Sequence, residues 1–264
     1  MTLDELLRVV RGSIVVSCQA SEGHPLRHTE TIARIALAAE AGGAAAIRCG
    51  GVGGVADVAA VAQAVSLPVI GLTKVGTEGV YITPSASDAR ALLAAGAHVV
   101  AADATRRERP GGEAFVDLVE AVHGAGGLVM ADISDWEEAV DAARAGADLV
   151  ATTLSGYTGG GEAAIGPDLD LVARVARALP GVPVIAEGRY HRPEHAQAAL
   201  AAGATAVVVG TAITDPAWIT AQFVSEARRG DRSGGRAEDL RRGDASCQEG
   251  SVSARRGGSG SSHG

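Results

Sequence analysis

The sequence predicts a (β/α)8 TIM barrel with a short N-terminal helix and a disordered C-terminal tail. Three observations carry this. Short β-branched runs alternate with Ala-rich helical stretches eight times, the pattern of parallel strands joined by helical crossovers. Four joints repeat nearly one phrase before the strand: Ala41-Gly42-Gly43-Ala44, Ala95-Gly96-Ala97, Ala145-Gly146-Ala147 and Ala202-Gly203-Ala204. Each reads as a helix ending at a glycine, which can take the left-handed conformation, followed by a tight turn into a buried strand. Third, 47% of the 264 residues are hydrophobic and only 3% aromatic, which suits one large core of Ala, Val, Leu and Ile.

The elements follow in order. Met1 to Arg11 reads as a short amphipathic helix. Strands are expected at Ser13 to Ser17, Ala44 to Arg48, Val69 to Lys74, His98 to Asp103, Leu128 to Asp132, Leu149 to Thr153, Val184 to Glu187 and Ala206 to Gly210. An open doubly wound sheet of eight strands is the weaker alternative. Residues 1–230 are expected to form the catalytic barrel. From Asp231 to Gly264 the chain is Gly, Ser, Arg and Asp with almost no apolar residue. Such a segment buries too little surface to offset its ordering entropy, so 231–264 is expected to be disordered.

Charge and cysteine content narrow the function. A net charge of −8, with both signs interspersed through the barrel, argues against nucleic acid as a partner and for a small molecule. Cys18, Cys49 and Cys247 lack metal-ligand spacing and suit a reducing compartment. There is no hydrophobic span near membrane length and no signal-peptide pattern, so a cytoplasmic location without membrane association is expected. The sequence leaves assembly into a homo-oligomer open.

Catalytic groups of a barrel project from the carboxyl ends of its strands. Here strand one is followed by Gln19, strand two ends in Arg48, strand three in Lys74, strand four in Asp103, strand five in Asp132, strand six in Thr152 and Thr153, and strand seven in Glu187. A charged residue closing an apolar run often marks only where the chain reaches water. Four ionisable groups of both signs converging on one mouth fit acid–base work on a polar substrate. Lys74 stands out because it is the single lysine among 23 lysines and arginines. An amine, unlike a guanidinium, can lose its proton when burial or a neighbouring cation lowers its pKa.

Strands three and seven are four apart in a ring of eight, so Lys74 and Glu187 are expected to face each other across the pocket. Two proton carriers on opposite sides of one carbon are what inversion of a C–H centre requires. Arg48 is expected to lower the Lys74 pKa and to bind a substrate oxygen, and Asp103 to hold hydroxyls. Gly188 and Gly210, followed by Arg189 and Thr211, occupy the last two strand ends, where barrels often bind phosphate through backbone N–H groups. Asp168 and Asp215 read as helix starts.

At these residues the chain resembles the N-acetylmannosamine-6-phosphate 2-epimerase family of bacterial sialic acid catabolism, from about Ile14 to Phe223. The motifs are Val16-Ser17-Cys18-Gln19-Ala20, Ala46-Ile47-Arg48, Pro68-Val69-Ile70-Gly71 with Lys74, and Val80-Tyr81-Ile82-Thr83-Pro84. They continue with Asp103-Ala104-Thr105, Arg107-Glu108-Arg109-Pro110, Met130-Ala131-Asp132-Ile133-Ser134, Thr152 through Thr158, Ile185-Ala186-Glu187-Gly188-Arg189, and Val208-Val209-Gly210. The resemblance implies a catalytic lysine at Lys74, an active-site glutamate at Glu187, and substrate binding by Gln19, Arg48 and Asp103; Thr153, at the end of strand six, is expected to bind substrate as well. The phosphate is expected at Gly188, Arg189, Gly210 and Thr211. The chain departs from the family where Thr211 and Asp215 replace a second glycine and an arginine, and the loop Val75 to Gly79 is shorter and less polar.

The reaction so implied is reversible epimerisation at C2 of an amino sugar phosphate, with no metal or redox cofactor because the substrate carbonyl holds the charge. Two rivals accompany it: a Schiff-base lyase using Lys74 as nucleophile, and a noncatalytic sugar-phosphate-binding protein.

Overall fold

The computed structural model describes residues 1–158 and 166–229, and the expected tail at 231–264 lies outside the described residues. The chain divides into two compact units, Met1–Pro216 and Ala217–Gly264. Among its described residues the second unit is helical over 217–229.

The first unit is a closed parallel barrel. Its strands are β1 (Ile14–Cys18), β2 (Ala46–Gly51), β3 (Val69–Thr73), β4 (Val99–Asp103), β5 (Leu128–Asp132), β6 (Leu149–Ala151), β7 (Val184–Glu187) and β8 (Ala206–Val209). They pair in sequence order, and β8 returns to β1, with Val15 opposite Val208. Closure excludes the open doubly wound sheet. The helices are α1 (Leu3–Val10), α2 (Thr29–Ala41), α3 (Gly54–Ala64), α4 (Ala86–Ala94), α5 (Phe115–Gly124), α6 (Trp136–Arg144), α7 (Leu169–Ala178), α8 (Pro193–Ala201) and the single turn α9 (Thr211–Thr214).

Side chains alternate across each strand, and the alternation sorts them into two cores. Outward residues such as Val16, Ile47, Val100, Val129, Val150, Ala186 and Val207 pack beneath the helices. Inward residues include Val15, Ala46, Ile70, Leu72, Val99, Ala101, Met130, Leu149, Ala151, Ile185, Ala206 and Val208. Small and bulky aliphatic side chains therefore interleave inside the barrel, which fills it without aromatics. Leu6 and Val10 of α1 join this inner cluster. That helix begins with a reciprocal cap, in which Thr2 N–H donates to Glu5 Oε2 at 2.8 Å and Glu5 N–H to Thr2 Oγ1 at 3.3 Å.

The four repeated joints place Gly43, Gly96, Gly146 and Gly203 at φ between +92° and +106°, the left-handed conformation expected of them. Asp168 caps α7, accepting from Leu171 N–H at 2.9 Å. Most strand limits lie within a residue of expectation, β6 ends two residues early at Ala151, and β2 and β3 differ in ways that shape the mouth. β2 begins two residues later and runs on to Gly51, because Gly50 at φ +110° lies so close to Leu72 that a Cβ would stand 2.0 Å from its carbonyl oxygen. β3 stops at Thr73, and Lys74 instead pairs antiparallel with Ile82 across the following loop.

Candidate active site

The inward parity that builds the core also builds the mouth. Two residues beyond inward Val15, Ala46, Leu72, Ala101, Met130, Ala151, Ile185 and Val208 stand Ser17, Arg48, Lys74, Asp103, Asp132, Thr153, Glu187 and Gly210. One ring of positions thus changes from apolar to polar at the carboxyl end of the barrel, as the fold requires of a catalytic face. Above it lies a cavity of about 460 Å³, a volume suited to a small molecule. Gln19, Arg48, Lys74, Thr153, Glu187, Gly188, Arg189, Gly210 and Thr211 all line it.

Its floor is a buried charge network. Arg48, 1% exposed, donates from Nη1 to Asp132 Oδ1 at 3.0 Å and from Nη2 to Asp132 Oδ2 at 2.7 Å. The same Nη1 lies 3.2 Å from Glu187 Oε2. Thr153 Oγ1 lies within hydrogen-bond distance of both carboxylates, 2.6 Å from Asp132 Oδ1 and 3.2 Å from Glu187 Oε2. Thr152 fixes the end of β7, its Oγ1 accepting from Glu187 N–H at 3.0 Å and donating to Glu187 O at 2.9 Å. Burial pushes the Glu187 carboxyl above its ordinary value, and Asp132 adds to the rise; Arg48, Thr153 and Lys74 pull the other way without cancelling it. Burial also opposes the charge of Arg48, but Asp132 and Glu187 outweigh it, so the guanidinium holds its proton more firmly than usual.

Lys74 differs from these floor residues. It opens onto the cavity, and among the described residues it makes no ion pair within 4.0 Å. Lys74 remains exposed to the cavity, and partial loss of hydration, with Arg48 second, pulls its pKa below the ordinary lysine value against the pull of Glu187 and Asp132. The two groups are therefore shifted toward each other, Lys74 downward and Glu187 upward. β3 and β7 lie four apart around the closed ring, which sets the two on opposite walls.

Two of the expected substrate contacts, Asp103 and Arg48, are engaged by other protein groups. Asp103 is fully buried and does not line the cavity; its carboxylate accepts from Thr105 N–H at 3.0 Å and Thr105 Oγ1 at 2.7 Å and pairs with Arg107. Its place is beneath the mouth, holding Arg107, whose guanidinium stacks 5.2 Å over the Tyr81 ring. Arg48 lines the cavity with both Nη nitrogens on carboxylates, while its buried Nε has no protein partner.

Gln19 keeps its expected place. Its Nε2 donates to Ser17 Oγ at 2.8 Å, leaving a buried Oε1 without a protein partner. Arg189 adopts φ +62°, rare for an arginine, and spends Nε on Gly166 O at 2.7 Å and Nη1 on Ser155 O at 2.6 Å.

Sequence reasoning placed Asp132 at a strand end without making it a site residue. The signal was its inward parity with Met130, which sets it in the same layer as Arg48 and Glu187. His24, Tyr81, Tyr157 and Asp215 also line the cavity from loops, where no strand periodicity marks them.

The fold and this mouth define a (β/α)8-barrel protein whose polar cavity at the carboxyl end is lined by a lysine and a carboxyl group. The chain belongs to the NanE family, described as "Putative N-acetylmannosamine-6-phosphate epimerase", whose model matches residues 32–229. A relative from Corynebacterium glutamicum carrying the 2-epimerase description is 47% identical over 221 residues, covering 84% of this chain and 95% of that protein. One from Cutibacterium acnes is 49% identical over 222 residues, covering 83% and 96%. The solved N-acetylmannosamine-6-phosphate 2-epimerase of Clostridium perfringens superposes with a TM-score of 0.79 at 42% identity, covering 83% of this chain and 95% of that one. Among the described residues no helix is long and apolar enough to cross a membrane.

Proposed function

We propose that the cavity interconverts N-acetylmannosamine 6-phosphate and N-acetylglucosamine 6-phosphate by moving a proton at C2. The observation that carries this reading is the Lys74 and Glu187 pair, set on opposite walls with their proton affinities shifted toward each other. The naming of the relatives supports the substrate. In the open-chain aldehyde, the carbonyl at C1 acidifies the C2 proton. Neutral Lys74 takes that proton, the C2–H electron pair moves into the C1–C2 bond, and negative charge collects on the aldehyde oxygen. Protonated Glu187 then returns a proton to the opposite face of C2, and the electrons return to C2 as the carbonyl reforms. No electrons leave the substrate, and the two groups end with their protonation states exchanged. Arg48 and Asp132 hold Glu187, while the unpartnered Gln19 Oε1 is available to the acetamido N–H.

The phosphoryl group is assigned to the Gly188, Arg189, Gly210 and Thr211 side of the cavity. Proton NMR in heavy water tests the mechanism. Product carrying deuterium at C2, with that incorporation and turnover falling about 10²- to 10⁴-fold in Lys74→Ala, is the expected result. Epimerisation without C2 labelling, or a fully active Lys74→Ala, defeats it. A protein trapped covalently by borohydride plus substrate would favour the Schiff-base alternative instead.

A further inference from the structure

The cavity wall carries a polar pair, His24 and Asp215, that the proton-transfer chemistry does not use. His24 lies in the loop after β1 and Asp215 closes α9 after β8, and these two strands are neighbours in the ring. His24 Nδ1 accepts from Leu26 N–H at 3.1 Å, so the proton of the neutral ring sits on Nε2. That Nε2 is buried, lies 3.4 Å from Asp215 Oδ1, and makes no well-formed hydrogen bond.

The loop is anchored as well. Arg27 donates to the fully buried Asp57 at 2.8 and 3.0 Å, and Thr29 Oγ1 adds a bond at 2.6 Å. The imidazole is therefore held in place beside the carboxylate, with a donor and an acceptor side by side on the cavity wall.

This arrangement matches a hydroxyl better than a phosphoryl group. A hydroxyl accepts from His24 Nε2–H and donates its own proton to Asp215. A carboxylate has about four acceptor positions, so contacts that Asp215 makes elsewhere leave room for such a bond. A phosphate monoester dianion offers only acceptors, so it satisfies His24 and is opposed by the Asp215 charge. Arg189, whose guanidinium also lines the cavity, already has Nε and Nη1 on backbone carbonyls.

We propose that His24 and Asp215 form a specificity-determining subsite for a sugar hydroxyl, so that this chain also turns over 2-acetamido sugars bearing a free hydroxymethyl group. The subsite weakens the preference for the phosphorylated form. The inference rests on the C2 epimerisation proposed above and concerns only the far end of the same ligand.

The test is an NMR comparison of kcat/KM for N-acetylmannosamine and its 6-phosphate, in the unmodified chain and in Asp215→Asn. Asparagine keeps the size of the side chain and an oxygen beside His24 Nε2, so the change removes charge with little else. The unmodified chain is expected to epimerise the free sugar. In the variant the ratio of kcat/KM, phosphorylated over free, is expected to rise about tenfold, the scale of one partly screened charge, with KM carrying the change. Failure of the unmodified chain to use the free sugar while it uses the phosphate, or a ratio that does not move, overturns the proposal.

Calorimetry with inorganic phosphate separates this from the activity itself. If neither sugar is epimerised, the proposed reaction fails; phosphate binding tighter in Asp215→Asn still supports the subsite, and unchanged binding overturns it.

Discussion

Replacing Arg48 with methionine removes the guanidinium that Asp132 and Glu187 both contact, and the consequence can be worked from the geometry. The two carboxylates each place an oxygen near the Thr153 hydroxyl, at 2.6 and 3.2 Å. Those oxygens are therefore roughly 6 Å apart at most, and at an effective dielectric of about 20 two full charges at that distance repel by about 3 kcal/mol. Removing one partner of a buried pair costs about 3 to 5 kcal/mol. Arg48→Met takes that loss and leaves the repulsion unscreened, so it belongs at the upper end. Asp132→Asn removes the repulsion together with the attraction, and Arg48 keeps Glu187, so its loss should fall to about 1 to 3 kcal/mol.

The double variant Arg48→Met/Asp132→Asn leaves Glu187 as the one carboxyl of the network and should be more stable than Arg48→Met alone. Glu187 adds a pH signature. Its folded pKa is raised, so its stabilising influence is complete below the ordinary carboxyl value and is lost as pH rises through the folded one. Without Arg48 that pKa rises further, and the deficit of Arg48→Met should shrink on acidification. Urea unfolding at neutral and mildly acidic pH measures all of this. A smaller loss for Arg48→Met than for Asp132→Asn, or strictly additive losses in the double variant, would refute the network as described.

Three further outcomes follow from single residues. The rising limb of kcat/KM with pH should report neutral Lys74 and lie below the ordinary lysine value, because lost hydration and Arg48 disfavour its charge; a limb at or above 10.5 would remove Lys74 as a tuned base. Asp57→Ala leaves Arg27 and Thr29 unpaired around a fully buried position and should cost about 3 to 5 kcal/mol in thermal or urea unfolding. KM should also rise, because the loop bearing His24 loses its anchor. Gly50→Ala sets a Cβ 2.0 Å from Leu72 O at a backbone φ of +110°, and soluble expression with an unchanged melting temperature would contradict the close approach of β2 and β3.

How much of the site was legible depended on which element carried each residue. Strand residues obey a period of two, so an apolar run fixes which way its last residue points, and Lys74, Thr153 and Glu187 reached the cavity as expected. The same rule, carried through β5, would have placed Asp132 in the layer it occupies with Arg48 and Glu187. What one-dimensional pattern does not supply is competition among polar groups for each other. Asp103 has the right parity and the right strand end, yet Thr105 and Arg107, two and four residues further on, capture its carboxylate and cover it. Arg48 is captured in the same way by partners 84 and 139 positions away.

Loop residues have no period at all. His24 and Asp215 are 191 positions apart and meet only because β8 closes onto β1. Barrel closure is thus the step at which fold becomes site. Pattern predicts the ring, the ring sets which strand ends are neighbours, and only then does it become decidable that the wall facing the ligand's far end carries a carboxylate. If Asp215 governs the treatment of that far end while Lys74 and Glu187 govern C2, substitutions at Asp215 should change which sugar is used without changing where its proton is exchanged.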